Sequence, residues 1–106
     1  MLREEKKMQG TLTKIRSADP ENGVEARYRY EVEGMVYEIE KGSERYVYSV
    51  GTSVIGRAGY RVCWTAERVT ENGLRHVCRK STRAFVIDYL DDMAKVHADY
   101  ARRGIE

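Results

Sequence analysis

The sequence predicts an α+β fold: an antiparallel sheet of five or six strands, as a meander or an open barrel, with one C-terminal α-helix packed on it. Three observations point there. Residues 24–41 alternate apolar and charged side chains on both sides of Glu33-Gly34. Turn dipeptides (Asp19-Pro20, Asn22-Gly23, Asn72-Gly73) separate short runs rich in Tyr, Val and Thr. After Lys80 the apolar spacing changes from two to about 3.6, and no glycine interrupts the chain before Gly104.

The hairpin at 24–41 specifies its own register. With Glu33-Gly34 as a two-residue turn and Gly34 at positive φ, Val32 faces Met35, Tyr30 faces Tyr37 and Tyr28 faces Ile39. On the other face Arg29 meets Glu38 and Arg27 meets Glu40. A slip by one residue would destroy both matches. The ladder of Arg and Glu reads as a solvated outer face.

The elements follow in order. Residues 1–7 are charged and expected to fray or to form a short helical lead-in, and Met8–Arg16 reads as a first strand. Residues 17–23 are a loop, and the hairpin follows it. Gly42-Ser43 is expected to break the third strand. Arg45–Val50 reads as a fourth strand with Tyr46, Tyr48 and Val50 on one face, and residues 51–59, with three glycines, as a flexible loop or bulged edge. Tyr60–Val69 and Leu74–Lys80 are joined across Asn72-Gly73. Ser81 and Thr82 are both good helix caps. Val86, Leu90, Met93, His97 and Tyr100 form the apolar stripe, with Phe85, Tyr89 and Val96 widening it. Asp88, Asp91, Asp92, Lys95 and Asp99 are assigned to the wet face. Arg102, Arg103 and Gly104 suit the helix end. The division is a single domain, 1–106, with sheet at 8–80 and helix at 81–104.

A chain of 106 residues with 42% hydrophobic and 34% charged side chains can build one core without staples. The first residues carry no apolar run, so no secretory leader is expected, and no stretch approaches the ~20 apolar residues of a membrane span. Neither an even nor an odd turn at Asn72-Gly73 brings Cys63 and Cys78 within the ~7 Å a disulfide needs. The expected location is therefore a cytoplasm, a host's if the chain is phage-encoded.

Catalytic patterns are missing from the sequence. It has no phosphate-cradling glycine loop, no His-Glu-x-x-His and no nucleophile elbow. Cys63, His76, Cys78 and His97 lack the close pairing of a zinc site, so neither metal nor cofactor is expected.

Charge placement says more. Residues 57–83 carry Arg57, Arg61, Arg68, Arg75, Arg79, Lys80 and Arg83 against Glu67 and Glu71, whereas the flanking segments are mildly acidic. Arg79, Lys80 and Arg83 oppose the helix dipole, so they mark either an anion site or cations paired with Asp88, Asp91, Asp92 or the Glu-rich hairpin. Eight tyrosines against one Phe and one Trp suit a half-wet recognition face.

The candidate binding surface is therefore Arg57, Tyr60, Arg61, Trp64, Arg75, Arg79, Lys80 and Arg83. The expected function is a non-enzymatic interaction module that binds a protein partner, as an inhibitor, adaptor or accessory protein of phage or mobile-element type. Direct nucleic-acid binding by 57–83 is the alternative. A small-ligand binder or enzyme ranks third. Homodimerisation through a Tyr-rich edge strand is compatible with the pattern, and no membrane partner is expected.

Overall fold

The computed structural model describes residues 8–49 and 56–104, with backbone alone at 47–49, 56 and 57. Five strands run in order β1 (Thr11–Arg16), β2 (Arg27–Val32), β3 (Met35–Ser49), β4 (Gly56–Thr70) and β5 (Gly73–Lys80). They form an open antiparallel meander in which each strand pairs with its neighbours in sequence. One helix, α1 (Arg83–Arg102), packs across β2–β5.

The central hairpin has the register its alternation demands. Val32 pairs Met35, Tyr30 pairs Tyr37, Tyr28 pairs Ile39, Arg29 pairs Glu38 and Arg27 pairs Glu40. Both turn residues, Glu33 and Gly34, take positive φ, as a type I′ turn requires. Tyr30, Val32, Tyr37 and Ile39 face α1 and make the core with Ala66, Cys78, Val86, Leu90 and Ala94. The other face is charged: Arg27 lies within 2.5 Å of Glu38, 3.0 Å of Glu40 and 3.1 Å of Glu67, and Arg16 also pairs Glu40.

Four expectations are corrected. Gly42-Ser43 does not break the third strand, because β4 continues alongside and keeps both residues in the ladder, opposite Cys63 and Val62. The expected third and fourth strands are one, and Gly56–Gly59 belongs to β4 rather than to a loop. The frayed start at 1–7, Val50 and the loop at 51–55 lie outside the described residues. Asp91 is not on the wet face: it is 5% exposed, because it sits between Leu90 and Ala94 on the side of α1 that covers Tyr30. Conversely, Phe85 and Val96 are exposed rather than part of the stripe.

A bulge between Ala66 and Glu67 shifts β5, so Cys78 pairs Ala66 on the helix side while Cys63, opposite Gly42, is on the other face. Both thiols are free.

The last β2 rung is Arg27–Glu40 and the last β5 rung is Trp64–Lys80. Beyond them, among the described residues, β3 and β4 pair only with each other, from Gly42–Cys63 to Ser49–Gly56. This two-stranded arm extends roughly 23 Å at a strand rise of ~3.3 Å per residue.

Candidate functional site

Three of the expected binding residues meet where the arm leaves the sheet. Arg61, Arg79 and Lys80 line a shallow groove of about 590 Å³ together with Glu44, Cys63 and Ser81. Glu44 stands opposite Arg61 in the β3–β4 ladder, and its carboxylate receives both arginines, Arg61 at 3.1 Å and Arg79 at 3.7 Å. The Arg61 guanidinium also lies 5.6 Å from the ring centre of Tyr46. Two guanidinium groups thus share one carboxylate.

Of the three cations at the helix start, Arg79 takes Glu44, and Lys80 and Arg83 find rings. Arg83 lies over Tyr28 at 4.8 Å and near Trp64 at 5.9 Å, and Lys80 lies over Tyr89 at 4.8 Å. Lys14 approaches Tyr28 from β1 at 5.8 Å. These separations are within the ~6 Å at which a ring face attracts a cation. The ring contacts account for positive charge at the positive end of a helix dipole. Thr82 caps the helix by accepting from the Phe85 N–H at 3.1 Å. Arg83 and Trp64 are therefore packed together on the helix side of the sheet.

The remaining expected residues are elsewhere. Tyr60 is 73% exposed on the arm, in register with Arg45, and its neighbour Val62 is 51% exposed. Arg57 pairs Tyr48 further along the arm through its backbone; both side chains lie outside the described residues. Arg75 is opposite Arg68, on the other side of the sheet from Arg79. The structure does not bring Arg75 to the groove.

A second polar cluster, which the sequence does not single out, lies under the C-terminal half of α1. Arg68 is 7% exposed on the helix face of β4. The Tyr37 hydroxyl and His97 Nδ1 share a hydrogen bond at 2.6 Å. Burial pushes Tyr37 up to about 12, although the Arg68 charge opposes the rise. Burial and then the Arg68 charge hold His97 below its ordinary value. A cleft of about 270 Å³ opens here, lined by Arg68, Arg75, His76, His97, Tyr89 and Tyr100. The available signal was the alternation Trp64-Ala66-Arg68, which places an arginine on the apolar side.

Cys63, His76 and Cys78 do not converge: Cys63 and Cys78 occupy opposite faces, and His76 pairs Glu67. Among the described residues no three His, Cys, Asp or Glu side chains gather as metal ligands, and no helix is long and apolar enough to cross a membrane. No protein-family model, no curated protein and no solved structure matches this chain.

Proposed function

We propose that this chain is a non-enzymatic interaction module that docks a protein strand against its β3–β4 arm. One observation carries the reading: the arm runs past the last rungs of β2 and β5, so among the described residues both its backbone edges lack a strand partner. Unpaired edges are templates for strand addition, and alternate side chains supply the specificity. Tyr60 and Val62 offer the apolar contacts such a partner would cover. An inhibitor or adaptor role in a cytoplasm fits this surface, and the two free thiols suit a reducing compartment.

The test places a photo-crosslinking phenylalanine analogue at Tyr60 and, as control, at Arg29 on the charged sheet face. Tyr60 is expected to capture one protein partner, or a second copy of the chain, and Arg29 none. Replacing residues 43–62 by Asn-Gly, to join Gly42 to its rung partner Cys63, should abolish that partner's binding while the sheet stays folded. Equal capture from both positions would sink the reading.

Nucleic-acid binding is the second reading, and the shared Glu44 favours it, since Arg61 and Arg79 together exceed one carboxylate. Because Arg75 is on the other face, the informative variant is Arg61→Ala/Arg79→Ala. Oligonucleotide affinity resting on several phosphate contacts should fall by about 10³-fold between about 50 and 200 mM salt. No binding at the lower salt removes this reading and leaves the protein partner.

A further inference from the structure

We propose that the cleft between the C-terminal half of α1 and strands β4–β5 is a binding site for one oxyanion, a carboxylate or phosphate group, received by the Arg68 guanidinium. Among the described residues no carboxylate lies within 4.0 Å of Arg68, whereas Arg16, Arg27, Arg61 and Arg79 on the opposite face of the sheet each have an acidic partner. A charge with so little access to water and no counter-charge is costly, and the fold keeps Arg68 7% exposed, with what solvent its guanidinium meets confined to the clefts it lines.

The surroundings are set for an anion. The cross-strand neighbour on the same face is Arg75, a like charge. No Asp or Glu lines the cleft; His76, His97, Tyr89 and Tyr100 do. His97 is held in place by the hydrogen bond between its Nδ1 and the Tyr37 hydroxyl, and in the tautomer that accepts there Nε2 is a donor. A planar guanidinium fork matches two oxygens of a carboxylate or phosphate. The volume of about 270 Å³ is at the small end for ligand sites, enough for the anionic group and a small attachment. Arg68 also borders a second hollow of about 510 Å³ on the side of Gly34 and Gly104, where Glu71 is part of the lining. The side whose lining holds no carboxylate is therefore the one assigned.

The test uses the full chain in chloride buffer, titrated at constant ionic strength with inorganic phosphate and, separately, with acetate. The readouts are the NMR resonances of the Arg68 Nε–H and the His97 ring, and the melting temperature. A saturable shift of both residues is expected, with a dissociation constant of about 1 mM or tighter for at least one anion, and a matching rise in melting temperature. The tighter of the two names the head group. Arg68→Met should melt no lower than the wild type without anion and should lose the response. Arg68→Lys, which keeps the charge without the fork, should bind at least about tenfold more weakly. If Arg68→Met does not fold, the wild-type titration decides alone. Unsaturated or absent shifts at Arg68, or a phosphate response that survives in Arg68→Met, would overturn the site.

Discussion

Asp91 and Arg68 are both buried beneath α1, at 5% and 7% exposure, yet only Asp91 is surrounded by partners. On the β1–β2 side the Tyr30 hydroxyl donates to Asp91 Oδ1 and itself accepts the Gly10 N–H at 2.9 Å, while the Gln9 N–H approaches Asp91 Oδ2 at 3.4 Å. Burial, then the hydrogen bond to Asp91, pushes the Tyr30 hydroxyl well above its ordinary value. On the β4–β5 side the matching tyrosine, Tyr37, is spent on His97, and Arg68 faces a cleft. The first network is closed and fastens the start of the sheet to the helix. The second is open, with a charge left over. A buried charge whose partners all come from its own chain is structural; one that lacks them has room for an external ligand.

Removing Asp91 breaks the closed network and has the largest expected effect. Asp91→Ala leaves the Tyr30 hydroxyl and the Gln9 amide facing an apolar void, a loss of about 3 kcal/mol in urea unfolding. A loss below about 1 kcal/mol would mean the carboxylate is answered by water, and the contrast with Arg68 would vanish. Gly10→Ala attacks the same network from β1. Its new Cβ would stand 2.2 Å from the Glu31 carbonyl oxygen and 2.7 Å from Val32 Cβ. Backbone cannot yield as a side-chain tip can, so the edge must shift, at a cost of about 2 kcal/mol. Circular dichroism melting checks it; an unchanged melt would show that the residues before β1 are not held as described.

The sequence was most legible where two constraints coincided. In the Tyr28–Ile39 hairpin the alternation and the Glu33-Gly34 turn demand one register, and five rungs agree. It was least legible where residue type argued against position. Gly42 reads as a strand breaker, but a strand persists when its partner persists, and β4 carries the ladder past it to Gly56. Asp91 reads as wet because it is acidic, although it adjoins Leu90 and lies one turn from Ala94. Arg68 was counted only as one of the cations of residues 57–83, although the alternation puts it on the side of Ala66. The basic segment is legible, but neither an anion site nor pairing with acids anticipates that Tyr28, Trp64 and Tyr89 take two of its cations. Ring contacts between the helix and the sheet leave no spacing to read.

Tyr37→Phe sharpens the comparison from the open side. It removes one neutral donor and leaves His97 beside a cleft that admits water, so the loss should be about 1 kcal/mol, well below that of Asp91→Ala. A loss equal to that of Asp91→Ala would mean that the second network is as closed as the first.

The smallest effect is a slope in pH. His97 is held below its ordinary value by burial and then by Arg68, so the folded state favours the neutral ring. An unfolded histidine takes up its proton near pH 6.5. Below that pH the unfolded chain binds more protons than the folded one, and stability falls as the pH drops through the folded pKa; above it the contribution is complete. Chemical unfolding at about pH 7.5 and about pH 5 should therefore show a weaker fold at the lower pH, with the difference reduced in His97→Gln. His76→Gln is the control, since His76 lines the same cleft. Phosphate supplies the last discrimination. An anion on Arg68 would cancel the charge that disfavours a protonated His97, so the slope should flatten when phosphate is present in the wild type and stay as it is in Arg68→Met. A slope indifferent to phosphate would leave burial as the sole cause of the neutral ring and would remove the electrical link between Arg68 and His97 on which the open network depends.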